Sequence, residues 1–437
     1  MRKMKNSGIE WIGEIPEDWE IRRTKVIANS MHKGNGITKE QIVQDGDSPC
    51  VRYGEIYSKY DNVFYECKTR TNKSFYNVLQ YFSFGDILFA CTGELPEEIG
   101  KNIVYLGNEK CLAGGDIIVL SHSQEPRFLS YVYNSYGQTQ KSCGKTKLKV
   151  VHISASEIAN IFVALPPLSE QQQIADFLDE KVSQIDSTIS KTRESIEEYK
   201  KLRQAIITEA VTGKVKIENG KVKESEMLEL KGDNLPNGWR WMKLKFLIDK
   251  NLQYGANDSG IEYNPILLRY VRITDIDSNG KLKNDEMLSL SEENSKDYFL
   301  EEGDILFARS GASVGKTFIY KAEYGRCCFA GYLIRAKLNK KIINPQFFFY
   351  YTLSSKYDIW KNGIFIQSTI QNIGADKYSN LEVPVPPLNS QLSLITFLDK
   401  KCSEIDKLIT KKEQLVVELE AYKKSLIYEV VTGKREV

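Results

Sequence analysis

The sequence predicts an α+β architecture: two similar mixed α/β globular domains separated by two long antiparallel coiled-coil helices, with the halves related by a pseudo-two-fold internal repeat. The chain is written twice, each copy changes character once, and the later part of each copy bears a heptad seam. Pro166-Pro167-Leu168 recurs 220 positions on as Pro386-Pro387-Leu388, and Phe177-Leu178-Asp179 as Phe397-Leu398-Asp399. Ile185-Asp186 recurs as Ile405-Asp406, and Val211-Thr212-Gly213-Lys214 as Val431-Thr432-Gly433-Lys434, at the same displacement. Elsewhere the agreement is looser. Pro16 and Trp19 precede Pro236 and Trp239 by 220, Val51-Arg52 precedes Val271-Arg272 by 220, and Gly85-Asp86-Ile87-Leu88-Phe89-Ala90 precedes Gly303-Asp304-Ile305-Leu306-Phe307-Ala308 by 218.

The elements follow in order. Residues 1–165 and 235–385 are rich in Tyr, Phe, Ile and Val, punctuated by Gly, Asn and Asp, and read as globular domains. Short apolar runs at 86–90 and 304–308 read as strands bounded by turns. Residues 127–136 and 346–354 read as aromatic-faced helices. A first long helix occupies 166–214: Pro166-Pro167 blocks helix upstream, and Ser169 with Gln172 makes a capping-box signature. Its apolar residues step through Leu178, Val182, Ile185, Ile189, Ile196, Tyr199 and Ile206, with Glu197 placed to pair with Lys201. A linker at 215–234 leads to the second domain. The last helix, 386–437, repeats the seam as Leu398, Cys402, Ile405, Ile409, Val416, Leu419 and Leu426, with Asn389 keeping only the cap. Gly213 and Gly433 stand where a left-handed terminating residue belongs. Each helix spans roughly 40 residues, about 60 Å at 1.5 Å per residue. A helix that long needs a partner, and the comparable seam in this chain is its own duplicate.

Composition sets the bounds. A chain of 437 residues is two to three domains' worth at ~150 residues each, and 41% hydrophobic residues are enough to bury a sizeable core. Sixty Lys and Arg against 58 Asp and Glu leave a net charge of +2. That excludes a wholesale polycation, so any site for a polyanion must be a local patch. No window approaches the ~18 apolar residues of a membrane span, and the opening MRKMKNSGIEW lacks an apolar signal core. Eight scattered cysteines without a C-x-x-C pair and three dispersed histidines (His32, His122, His152) suit reduced thiols and no metal centre. The expectation is a soluble, cytoplasmic, multidomain protein.

Two motifs resemble enzyme chemistry. Gly311-Ala312-Ser313-Val314-Gly315-Lys316-Thr317 is similar to a phosphate-cradling P-loop, but that motif needs four residues between its glycines and three are present. It reads either as a Gly-rich turn whose Arg309, Ser310, Lys316 and Thr317 touch a DNA backbone or as a plain turn joining two strands. Asn344-Pro345-Gln346-Phe347 is similar to the Asn-Pro-Pro-aromatic loop of methyltransferases, yet has one proline and no Gly-rich cofactor loop upstream. Pro345 reads more simply as the first residue of a helix. No catalytic residue or metal ligand is assigned.

For nucleic acid, the densest basic stretch is Lys141, Lys145, Lys147 and Lys149, interleaved with Ser and Gly before the first long helix. The matching segment of the second copy holds Lys361, Asn362, Gln367 and Ser368. Lysine suits phosphate, while Asn, Gln and Ser suit base edges. A solvated basic loop is the plainer reading. Arg52 and Arg272, at equivalent strand positions, read as ion-pair partners rather than base readers. Two similar but unequal domains on a rigid spacer suit two separated half-sites of a duplex, as dimeric DNA binders place theirs ~34–36 Å apart.

The tandem layout, the L-P-P-L-S-E-Q-Q-Q-I-A-x-F-L-D run at 165–179 with its weaker copy at 385–399, the G-D-I-L-F-A strands and the terminal E-[AV]-V-T-G-K repeats together resemble the specificity subunit of type I restriction-modification systems. The resemblance runs from Trp11 to Lys434. It implies two target recognition domains, each contacting one half of a bipartite DNA site, and a coiled-coil spacer that sets the gap. It implies a non-catalytic subunit docking two methyltransferase subunits and, through the complex, restriction/translocase subunits. S-adenosylmethionine, ATP and Mg then belong to those partners and none to this chain. A docking surface on the repeated string would use Glu170, Gln171, Gln172, Asp176 and Gln391. Asn389-Ser390-Gln391-Leu392 departs from the S-E-Q-Q string, which makes the two ends unequal. Two rivals remain: a coiled-coil scaffold for proteins alone, and a nucleotide- or S-adenosylmethionine-dependent enzyme.

Overall fold

In the computed structural model of the chain, residues 2–93, 95–145, 151–218, 221–227, 234–277, 280–366 and 372–437 are described. They divide into two compact units, Met1–Thr192 with Gln414–Val437, and Arg193–Glu413. Each unit holds one globular domain, the first half of one long helix and the second half of the other.

In the first unit the repeated G-D-I-L-F-A becomes a buried central strand. Gly85 turns at φ +85°, the Asp86 carboxylate accepts from the Ser83 N–H at 2.8 Å, and Ile87–Ala90 follows with no exposed surface. Gly303 at φ +90° and Asp304, accepting from the Glu301 N–H at 3.0 Å, do the same before Ile305–Ala308. Four residues buried on both faces contribute roughly 1.5–3 kcal/mol for each large side chain, which suits a strand flanked on either side. Ile87–Ala90 lies between Ile117–His122 and Asn102–Tyr105 in a five-stranded sheet completed by Ala28–Lys33 and Val63–Phe64. A four-stranded sheet of Thr69–Thr71, Ser48–Val51, Cys111–Ala113 and Tyr81–Phe82 completes the domain.

The second unit rebuilds this with fewer strands. One sheet runs Gln253–Tyr254, Leu333–Ala336, Ile305–Ala308, Thr317–Ile319, and the other Ile261–Glu262, Leu288–Leu290, Leu268–Val271, Cys327–Phe329. The strand that enters each long helix keeps its register across the repeat: Phe162 pairs with Arg23, and Glu382 with Lys243, each 220 later. The aromatic helices form at Pro126–Asn134 and Pro345–Thr352. Asn344 caps the second, its side chain accepting from the Gln346 N–H at 2.9 Å, so Asn344-Pro345 is a helix start.

The long helices run Leu168–Val211 and Leu388–Val431, 44 residues each. Every seam position named from the sequence is buried or half-buried. In the second unit their segments run antiparallel, since Arg203 Nε meets Asp406 at 2.9 Å while Lys412 lies over Tyr199. In the first, Lys423 pairs with Asp186 at 2.6 Å. Both helices end in the expected way. Gly213 and Gly433 have φ +80° and +69°, and Lys214 and Lys434 N–H groups reach back to Glu209 and Glu429 carbonyls at 2.9 and 2.8 Å. These ends also dock: a Cβ on Gly433 would sit 2.4 Å from Pro16, and one on Gly213 2.5 Å from Pro236. Pro16-x-x-Trp19 and Pro236-x-x-Trp239 are thus receptors for helix termini.

Three local expectations need correction. Ser169 does not cap: the Pro167 carbonyl already accepts from Glu170 and Gln171 N–H groups, so the helix begins at Leu168 and Gln172 bonds Asp176 instead. Glu197 pairs with Lys200 at 2.8 Å, three residues on, rather than with Lys201. The segment 215–234 contains an antiparallel hairpin of Val215–Glu218 with Lys221–Met227. Among the described residues no helix is long and apolar enough to cross a membrane, and all eight cysteines are free.

Candidate nucleic-acid interface

Burial sorts the basic residues. Lys141 is 2% exposed; its Nζ donates to the Gly100 carbonyl at 2.6 Å and lies over the Phe89 ring. Burial without a counter-ion pulls its pKa down to about 7. It cannot reach a phosphate, which corrects its assignment to DNA. Lys145 is mostly covered, bonded to the Glu157 carboxylate at 2.6 Å and the His152 carbonyl at 2.7 Å. Lys147 and Lys149 lie outside the described residues.

Lys361 is the second copy's Lys141. Its stem fills the space a Cβ on Gly315 would need, 2.3 Å away, and its ammonium meets Asp358 at 2.7 Å. Gly100 stands to Lys141 in the same way, its Cβ position 2.9 Å from the lysine Cδ. The glycine of the P-loop-like string is therefore explained by internal packing. The string leads into the strand Thr317–Ile319, where a P-loop leads into a helix. Thr317 is 5% exposed, bonding Thr352 through its hydroxyl at 2.7 Å, so it too drops from the candidate contacts. Lys316 is exposed. The first copy does keep that lysine: Ala90 and Ala308 N–H groups bond Lys101 and Lys316 carbonyls at 3.0 and 2.8 Å. A three-residue longer loop before Gly100 hid the match.

Arg309 and Ser310 stand together at the end of Ile305–Ala308, both half-buried, with Ser310 bridged to Asn372. Tyr254 and Tyr332, which were not among the sequence candidates, flank Arg309 and are exposed. Their signal was positional, in that they lie where the first copy has Lys33 and Asp116. Asn362 is exposed, and Gln367 and Ser368 lie outside the described residues. In the first domain the corresponding region is a cleft of about 530 Å³ with a glycine floor (Gly36, Gly114, Gly115) and walls that include Lys39, Arg52 and Tyr53. Arg52 reaches Glu55 at 3.8 Å and Arg272 reaches Asp275 at 2.8 Å, so both work in ion pairs.

The docking candidates divide likewise. Gln171 is 1% exposed; its amide accepts from the Glu125 N–H at 3.1 Å and donates to Gln124 and the Pro166 carbonyl. Gln391 is fully buried and accepts from the Asn344 N–H at 2.7 Å while donating to the Ile342 and Pro386 carbonyls. Both are internal staples between a domain and its long helix, with no surface to offer a partner. Glu170 binds Arg2 and the Trp19 indole N–H, also internally. Gln172 and Asp176 are exposed, Asp176 holding Arg127 at 2.9 Å. Among the described residues no cluster of three or more His, Cys, Asp or Glu side chains could hold a metal.

The comparisons agree with this doubled design. A type I restriction enzyme MjaVIII specificity subunit from Methanocaldococcus jannaschii is 25% identical over 97% of this chain and 94% of its own length. The StySPI specificity subunit from Salmonella potsdam is 22% identical over 97% of this chain and 90% of its own. A solved chain described under complex assembly and conformational transition of the type I R-M system covers 96% of this chain and 99% of itself, with a TM-score of 0.74 at 16% identity, a likeness of fold. Residues 16–198 and 240–418 each match the type I restriction modification DNA specificity domain. The chain belongs to that family and carries its domain twice.

Proposed function

We propose that this chain is the DNA-recognition subunit of a type I restriction-modification complex, each globular domain contacting one half of a bipartite target. What carries the reading is one scaffold used twice, with different side chains at equivalent positions: Arg309, Tyr254 and Tyr332 in one copy, Cys91, Lys33 and Asp116 in the other. The recognition domains are 1–165 and 235–385, the helical spacers 166–214 and 386–437, and the linker 215–234. Lys147, Lys149, Arg309, Ser310, Lys316, Asn362, Gln367 and Ser368 remain as DNA contacts, with Lys145 contributing only if it leaves Glu157. Gln172 and Asp176 remain as docking positions. The subunit is non-catalytic and cytoplasmic. Two methyltransferase subunits, with their S-adenosylmethionine, flip and modify one adenine in each half-site, and restriction subunits bring ATP and Mg.

The test is sequencing of methylated adenines in cells expressing this chain with and without its modification partner. A split motif of two short blocks around a fixed unspecified gap, seen only with the partner, is expected. Methylation by this chain alone would overturn the non-catalytic reading, and none with a partner of shown activity would leave a protein scaffold.

A further inference from the structure

Arg309 is held as few surface arginines are. Its backbone N–H donates to the Tyr332 carbonyl at 3.0 Å and its carbonyl accepts from the Ile373 N–H at 2.9 Å, so the Cα is fixed. Its guanidinium lies 5.0 Å from the centre of the Tyr254 ring, and that ring is fixed in turn because its hydroxyl accepts from the Ala375 N–H at 3.0 Å. Nε is buried without a hydrogen bond, and no carboxylate pairs with the group among the described residues. Other arginines of this domain are spent differently: Arg272 is clamped by Asp275 at 2.8 Å, and Arg335 lies 3.6 Å from Asp304. An unpaired guanidinium on an aromatic support, beside the exposed Lys316 and a Tyr332 that is 64% exposed, has its outer N–H groups to spend on a ligand.

The first copy keeps the frame and drops the group. Cys91 makes the same two backbone bonds, to the Asp116 carbonyl at 2.8 Å and from the Ile153 N–H at 2.9 Å, but it is buried and offers no donor fork. Lys33 stands where Tyr254 would support it, pairing with Ile118 as Tyr254 pairs with Ile334, and its ammonium lies 3.7 Å from Asp116. What is conserved between the copies holds the chain; what differs is the side chain presented.

We propose that Arg309 is a specificity-determining residue that reads the O6/N7 edge of one guanine in the half-site bound by the second domain. The proposal rests on the DNA-recognition reading above. A planar fork matches that edge bidentately, and a guanidinium already oriented by a ring loses little freedom on binding. A phosphate contact needs no such orientation.

The test uses the full modification complex carrying wild-type chain, R309A, R309K or K316A, with methylated-adenine sequencing over a randomised-site library and binding across a salt series. R309A should turn one G·C pair of one half-site into any pair, leave the other half-site unchanged, and cost roughly five- to 150-fold in affinity for the original site. R309K, which keeps a stem over Tyr254 but no fork, should weaken discrimination at that same pair; it carries the test if R309A does not fold. K316A should weaken all sites alike and lower the salt slope by about one. If R309A and R309K leave the motif intact and behave as K316A, Arg309 is a phosphate contact and the proposal is wrong. Relaxation at a pair other than G·C overturns it equally. A wild-type complex of active partners that yields no split motif instead defeats the DNA-recognition reading itself.

Discussion

Replacing Lys141 by methionine isolates the cost of burying an ammonium without a counter-ion. The Nζ has one acceptor, the Gly100 carbonyl at 2.6 Å, and burial brings the pKa from 10.5 down to about 7. Below about pH 7 the folded and unfolded chains both hold the proton, and stability does not change with pH on this account. Between about pH 7 and 10.4 the unfolded chain holds a proton that the folded chain lacks, so raising the pH favours the folded form. At 1.36 kcal/mol per pH unit over that window, the rise is of order 4–5 kcal/mol. Methionine keeps the stem but leaves the Gly100 carbonyl without its donor, costing about 1–3 kcal/mol. K141M should therefore be more stable than the parent by about 2 kcal/mol near pH 7, and less stable by a similar amount near pH 10. Urea midpoints of both proteins at pH 6.5, 8.5 and 10 give the difference, in which other titrating groups cancel. A difference that stays flat would refute the neutral lysine. Lys361 has Asp358 at 2.7 Å, so K361M should destabilise the chain by removing that carboxylate's partner.

Gly433→Ala and Gly213→Ala place a Cβ 2.4–2.5 Å from Pro16 and Pro236 on a left-handed backbone, and each should cost about 1–3 kcal/mol, read as a fall in calorimetric Tm. Gln171→Leu and Gln391→Leu leave a buried N–H and a buried carbonyl unsatisfied, so each should lose about 2–4 kcal/mol in a denaturant titration. Weakened partner binding with unchanged stability would show instead that these amides face a partner. Burial holds the His122 pKa down to about 4, so between pH 6.5 and 4 the unfolded chain takes up a proton the folded chain refuses, and stability falls by about 3 kcal/mol. His122→Leu, which copies Leu338 at the equivalent bridge, should flatten that acid limb in thermal scans.

The architecture was legible because it rests on periodicity. The seam from Leu178 to Ile206 and its copy from Leu398 to Leu426, the terminating glycines and the G-D-I-L-F-A strands all express local rules that hold wherever the chain is read. The sheets were not legible. Their order joins Ala28–Lys33 to Ile117–His122 and Ser48–Val51 to Cys111–Ala113, pairings between strands some 60 to 90 residues apart that no local pattern fixes. Basic composition misled at Lys141 because a lysine's stem is apolar, and only the fold shows that Gly100 leaves room to bury it.

Two of the docking residues, Gln171 and Gln391, turned inward for a deeper reason. Gln171 and Gln391 attracted attention because they recur, and recurrence within one chain marks what both halves need. Both halves need to fold. Gln171 and Gln391, Gly213 and Gly433, Lys141 and Lys361, Asp86 and Asp304 all prove to be intramolecular contacts. A protein whose halves read different sequences must carry its specificity where the copies disagree. Arg309 against Cys91, Tyr254 against Lys33 and Tyr332 against Asp116 are such places: each pair shares its place in the repeated frame, and Arg309 and Cys91 share the same two backbone bonds. In a duplicated recognition protein the repeat therefore locates the scaffold, and the departures from it, once the fold aligns the frames, locate the reading side chains.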